Sequence, residues 1–128
     1  EQVSLTDARD VPSSFMYGLS KSGGLSLFKK KVVLVSSHTD TYSPYHSARL
    51  EICRAAINDV SGNGQAYREM LEFVWKGVTA SRVEKVDVSF KFEESGLDTL
   101  IGRAAHIRFL DSFELTASLC LIYRDLWD

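Results

Sequence analysis

Residues 113–123 read Phe-Glu-Leu-Thr-Ala-Ser-Leu-Cys-Leu-Ile-Tyr, and this stretch decides the predicted fold class. Apolar residues fall at every second position over most of it, with polar residues such as Glu114 and Ser118 between them. Because successive side chains of a strand point to opposite faces, this alternation predicts a β-strand with one buried face. The turn residues 111–112 predict an antiparallel hairpin with an earlier strand at residues 105–109.

Two helices are predicted in the first half of the chain. Ser43 provides an N-cap hydroxyl and Pro44 a first helical residue, and apolar residues then recur at helical spacing as far as Val60. The Gly62–Gly64 segment ends this helix, since Gly and Asn tolerate the left-handed conformation of a C-cap. A second helix over Gln65–Gly77 follows at once, so the pair forms a helical hairpin.

Further strands are predicted at residues 25–37 and 86–92, with a short one at 15–19. The order of strand, two helices and three strands predicts an α+β fold, an antiparallel sheet with the helical hairpin packed on one face. A parallel sheet would need a helix between each pair of strands, and the second half offers none. The predicted domains are residues 1–24, an N-terminal arm with the short strand, and residues 25–128, a single α+β core domain.

The composition predicts a globular, soluble protein. The chain has 128 residues, of which 45% are hydrophobic and 25% charged, as in ordinary folded domains. Its net charge of −2 excludes a uniformly basic nucleic-acid binder. No apolar run reaches the roughly 18 residues of a membrane-spanning helix. Cys53 and Cys120 lie in apolar patterns, which predicts buried, reduced thiols.

The candidate catalytic and metal-binding residues are few. His38 and Asp40 form a His-x-Asp pair of the kind that seeds a metal site or a general base, but no third ligand has suitable spacing. A loop histidine beside a turn-forming aspartate is therefore the favoured interpretation. His106 is predicted to be a solvated strand residue. With no nucleophile motif either, we predict a non-enzymatic protein with no catalytic residues, metal or cofactor.

Three consecutive lysines, Lys29, Lys30 and Lys31, precede a β-branched run. Lysines on an edge strand commonly prevent unwanted sheet pairing. Alternatively, these lysines bind phosphates, either of an RNA backbone or of anionic lipid head groups. Three further cations at the next junction between helix and strand extend the same predicted patch: Lys76, Arg82 and Lys85.

Four stretches of the chain resemble the core of rhabdovirus matrix proteins. They are the lysine-containing segment 28–37, the two predicted helices 47–60 and 65–77, and the late segment 113–125, which is similar to the final long strand of that family. The chain departs from the family in lacking a Pro-Pro-x-Tyr motif, and its connection after the second helix, residues 78–83, is short.

The resemblance implies a non-enzymatic structural protein of the virion. Such a protein associates with itself, condenses the viral nucleoprotein–RNA complex and links it to an anionic membrane surface during assembly and budding. The implied locations are the virion, the host cytoplasm and the inner face of the plasma membrane, and no small-molecule substrate is expected. The aromatic residues near the two ends of the chain, Phe15, Tyr17 and Trp127, are the candidates for self-association.

Two other classes of protein stay open at this point. One is a small helix-on-sheet enzyme or ligand-binding domain, whose polar groups would come from His106, Asp87 or Tyr123. A cleft lined by convergent polar side chains would favour it, and a filled core would count against it. The other is a cytoplasmic interaction domain.

Overall fold

The computed structural model describes residues 10–90, 106–109 and 111–126. The helices are α1 (Phe15–Ser20), α2 (Tyr45–Ala48), α3 (Arg54–Asn58), α4 (Asn63–Trp75) and α5 (Phe113–Ile122), and the strands are β1 (Val32–Ser36) and β2 (Val83–Asp87). Residues 106–109 are also helical. The chain divides into a first compact unit, Glu1–Val32 with Leu50–Val83, and a second, Val33–Arg49 with Glu84–Asp128.

The strands form a two-stranded parallel sheet in the described part of the chain, so the predicted antiparallel sheet is wrong. Apart from Val32 and Val83, the strand residues belong to the second unit. The N–H of Val88 donates to the carbonyl of Ser36 at 2.8 Å, just beyond the end of β2. The connection through residues 37–82 carries three helices, and such a long crossover is what two parallel strands require.

Helix α5 occupies the stretch for which the alternating pattern predicts a strand. Ser112 is its N-cap, and the Ser112 hydroxyl accepts a hydrogen bond from the N–H of Leu115 at 3.1 Å. Within α5 only Thr116 and Ile122 are β-branched, whereas leucine, alanine and glutamate favour helices. The turn predicted at residues 111–112 is therefore a helix start, and the predicted strand at 105–109 is helical over 106–109.

The first unit is built around α4. Tyr17 of α1 packs with Ala66 and Met70 of α4 in a buried apolar cluster. The stretch predicted as a short strand is α1 instead, because Ser14 caps it by accepting from the N–H of Tyr17 at 3.2 Å. Burying a large apolar side chain such as Met70 contributes about 1.5–3 kcal/mol, which stabilises the packing of α1 against α4.

Helices α3 and α4 replace the predicted helical hairpin, and the first helix of that prediction is interrupted. Leu50 has a φ of 51°, which no helix interior accepts, so α2 ends before it and α3 begins only at Arg54. Two side chains of α4 hold this interruption in place: the Tyr67 hydroxyl donates to the Glu51 carbonyl and the Trp75 indole N–H to the Leu50 carbonyl, both at 3.1 Å.

Helix α4 confirms the second predicted helix within two residues at each end. Gly62 is its N-cap with a φ of 91°, and Gly77 follows its last turn with a φ of 78°. Gly64 lies so close to α3 that an added Cβ would fall 2.9 Å from the carbonyl carbon of Ala56. The N–H of Gly64 donates to Asp59 Oδ2 at 2.9 Å, which supplies a side-chain cap from the preceding loop.

Candidate functional site

The predicted cationic patch begins on a segment that is not a strand. Lys29, Lys30 and Lys31 are all exposed and lie between a 3-10 turn at Gly24–Leu27 and the first residue of β1. The first half of the strand predicted over residues 25–37 is therefore wrong. Because the lysines precede the ladder, protection of a sheet edge does not explain them.

Arg82 adjoins this lysine run within the first unit. Its Nε donates to the Lys30 carbonyl at 2.9 Å, across 52 residues of sequence. The guanidinium therefore lies beside the lysine run, with its Nη2 atom buried. Lys76 is exposed at the end of α4, and Lys85 is exposed in β2 of the second unit.

The residues predicted for self-association have different environments. Phe15 is 55% exposed. Tyr17 is buried: its hydroxyl donates to Glu69 at 3.0 Å, and its ring contacts the Phe73 ring edge-to-face with centroids 6.3 Å apart. Tyr17 is thus a core residue, and its assignment to a self-association surface is wrong. Trp127 lies outside the described residues.

Asp40 and His106 form a pair in the second unit that the sequence does not reveal. Nδ1 of His106 lies 2.9 Å from Oδ2 of Asp40, although 66 residues separate them. The Asp40 side chain is 4% exposed, and its Oδ1 accepts from the N–H groups of Tyr42 and Ser43 at 2.8 and 3.0 Å. Burial acts to raise the pKa of Asp40, but the Ser43 N–H, His106 and the Tyr42 N–H outweigh it, so the pKa is lowered.

The ionised Asp40 carboxylate orients the histidine ring. A neutral His106 donates its Nδ1–H to Asp40 and carries the free lone pair on Nε2, and Tyr42 stacks on the ring with centroids 5.6 Å apart. The His106 side chain is 42% exposed. A ring nitrogen held in this way is suited to accept a hydrogen bond.

A cavity of about 260 Å³ lies beside this pair. Val35, Ala48 and Phe109 form its apolar wall. Several polar lining groups already bond within the chain, including both oxygens of Asp40 and the Ser37 hydroxyl, which lies 2.9 Å from the Thr39 hydroxyl. Small-molecule pockets usually measure 300–1,000 Å³ and present convergent groups to the ligand. The cavity thus lies beside His106, as the ligand-binding hypothesis expects. Its small volume and its internally bonded polar groups do not favour that hypothesis.

The other polar residues of that hypothesis have structural partners. Asp87 Oδ1 accepts hydrogen bonds from Ser36, Tyr45 and Arg49 at 2.8, 2.9 and 2.7 Å. The Ser36 bond, followed by those from Tyr45 and Arg49, lowers the pKa of Asp87. Burial, together with a hydrogen bond to Glu84, raises the pKa of Tyr123. The Asp87 contacts connect β2 to β1 and α2. The Tyr123 contact connects the residue after α5 to β2.

Helix α5 exposes several large apolar side chains. None of its ten residues, all of them described, is buried. Phe113 is 79% exposed and Leu121 72%, whereas Leu115 and Leu119 on the opposite side are half-buried. Apolar residues on both sides of a helix are typical of one that is covered on both sides. The alternating pattern conceals this feature because it assigns all these residues to one strand face.

Several kinds of site have no counterpart in the described residues. Residues 10–90, 106–109 and 111–126 contain no group of three or more histidine, cysteine or acidic side chains placed to hold a metal ion. No helix within the same ranges is long and apolar enough to cross a membrane. The two cysteines are free; Cys53 is half-buried and Cys120 exposed, so the prediction of a buried thiol is wrong for Cys120.

The chain matches no model of a known protein family and no solved structure.

Proposed function

We propose that this chain is a non-enzymatic viral matrix protein, a structural protein that self-associates and links a nucleoprotein–RNA complex to an anionic membrane surface. The resemblance to rhabdovirus matrix proteins motivates this function, and β1 and α4 with the glycine turn before it agree with the resemblance, whereas the implied helix over residues 47–60 is interrupted. The late segment does not, because α5 is a helix where the resemblance implies a strand. The proposal therefore depends chiefly on the cationic segment.

The observation that carries the proposal is the exposure of Lys29, Lys30 and Lys31 outside the sheet. Three adjacent ammonium groups beside the Arg82 guanidinium attract phosphate groups without needing a shaped pocket. Each lysine near an anionic membrane contributes about 1 kcal/mol, so the three together amount to about a hundredfold in affinity. The same charges also serve an RNA backbone, which accounts for both implied partners with one surface.

The test replaces Lys29, Lys30 and Lys31 together by glutamine and measures binding to vesicles with and without anionic lipid. We expect about a hundredfold weaker binding to anionic vesicles and a shallower salt dependence, because three charge contacts are lost. Binding to single-stranded RNA, measured in parallel, should lose affinity with a salt slope reduced by about two.

The matched control removes the same charge from scattered exposed positions of the first unit, with Lys21, Arg54 and Arg68 replaced by glutamine. This control changes the net charge equally but leaves the lysine run intact. Vesicle and RNA affinities that fall equally in both variants would show that net charge alone matters. Unchanged affinities in a folded variant of the lysine run would refute its role.

A further inference from the structure

Phe113, Ala117 and Leu121 form an exposed stripe along α5, because residues four apart lie on the same face of a helix. We propose that this α5 stripe is the surface through which two copies of the chain associate, with their α5 helices antiparallel. The inference rests on the self-association in the proposed function and names its surface. Cys120 borders the stripe and is also exposed.

The sizes of the side chains suit a pair related by a two-fold axis. Large residues stand at the two ends, Phe113 and Leu121, about 12 Å apart along the helix, and Ala117 lies midway. In an antiparallel pair the Phe113 of one copy meets the Leu121 of the other, twice over. The two Ala117 residues face each other at the centre, where a small side chain lets the helix axes approach closely.

The charges at the ends of the stripe favour the same arrangement. Glu114 lies in the first turn of α5, and Arg124 follows its last turn with an exposed side chain. In the register set by the stripe, the Glu114 of each copy lies opposite Cys120 of the other, about 6 Å along the helix axis from Arg124. The long arginine side chain can span this distance, so opposite charges meet at both ends. A parallel pair would bring Glu114 to Glu114 and Arg124 to Arg124. Among the described residues, Arg124 forms a weak ion pair with Asp125, with Nε and Oδ1 3.7 Å apart.

The chemistry of α5 also separates this occupant from a membrane or RNA. Glu114 is the only charged residue of the helix, and a carboxylate disfavours both phosphate groups and anionic lipid. The cations that suit those partners lie on the lysine run of the first unit. The α5 stripe thus fits an apolar, self-complementary partner, and a second copy supplies one.

The first experiment measures association of the whole chain by analytical ultracentrifugation over a range of concentrations. Because each stripe residue is used twice in a symmetric pair, Phe113→Ala and Leu121→Ala should each weaken association about ten- to a hundredfold. The matched control is Ile122→Ala, which removes a 66% exposed side chain of the same helix outside the stripe, and it should change association by less than about twofold.

The second experiment reverses the end charges. Glu114→Arg or Arg124→Glu alone should weaken association, while the two together should restore it, since the opposite charges meet again across the pair. This rescue also shows that the single variants fold. A parallel pair predicts no rescue, because the like charges would persist.

The outcomes separate the inference from the proposed function. Association that survives the stripe variants and charge reversals would overturn the α5 interface and leave self-association through another surface. A wild-type chain that stays monomeric at all concentrations would overturn both the interface and the self-association.

Discussion

Replacing Gly64 by alanine should destabilise the first unit, against the usual effect of this substitution in a helix. An added Cβ would fall 2.8 Å from the Asp59 Cβ and 2.9 Å from the Ala56 carbonyl carbon, and it would also clash with the Ala56 carbonyl oxygen. The obstacle is mostly backbone of α3, which cannot rotate away. Overpacking of this kind costs about 1–3 kcal/mol or more, whereas alanine gains at most about 1 kcal/mol in helix propensity. We expect a net loss of about 2 kcal/mol in the free energy of unfolding.

Gly18→Ala is the matched control. Gly18 lies within α1 and has no atom within 4 Å of an added Cβ, so alanine there meets no obstacle. The gain in helix propensity then acts alone, and we expect about 0.5–1 kcal/mol of added stability. The two substitutions are chemically identical and should have opposite signs.

Urea unfolding followed by far-ultraviolet circular dichroism measures both free energies, provided that the slope with urea is unchanged. A Gly64→Ala variant as stable as the wild type, or more stable, would refute the close approach of α3 and α4. Equal gains at Gly18 and Gly64 would lead to the same conclusion.

Two further predictions concern Asp40 and the thiols. Since the pKa of Asp40 is lowered in the folded state, its ionised form stabilises the chain above the unfolded pKa of about 3.9, and this contribution disappears as the pH falls through the folded value. Asp40→Asn should therefore lower the free energy of unfolding by about 1–3 kcal/mol at neutral pH, and the variant should be as stable as the wild type in strong acid. Urea unfolding over a range of pH measures this difference. A difference that is constant at all pH values would contradict the prediction. Cys120 should react with a thiol reagent faster than Cys53 in dilute native protein, because it is the more exposed thiol. Its reaction should slow as the protein concentration rises, because association covers the α5 stripe. A rate independent of concentration would count against association through α5.

The parts of the fold that the sequence predicts are those set by local signals. Helix α4 follows from its 3.6-residue apolar period between Gly62 and Gly77. Strand β1 follows from its β-branched residues, although the prediction begins seven residues too early, at Leu25.

The parts that fail depend on competing signals or on distant contacts. In residues 113–123 the alternation of apolar residues competes with the helix propensity of leucine and alanine and with the Ser112 cap, and the cap and propensity prevail. The Leu50 interruption depends on Trp75 and Tyr67, which no local pattern links to it. Asp40 and His106 likewise meet only through the tertiary fold, and the sequence places only His38 next to Asp40.

The division of the chain has a consequence for its synthesis on the ribosome. The two units alternate along the sequence, with the chain passing from one to the other after residues 32, 49 and 83. The first unit is complete once Val83 has emerged, but β1 then still waits for most of its partner strand, which follows from Glu84 onward. Strand β1 therefore spends part of synthesis with an unpaired edge, a state prone to aggregation. A cut after residue 83 leaves the first unit whole but divides the second, and a cut after residue 49 divides both. The second unit therefore cannot be produced intact by truncation at either point.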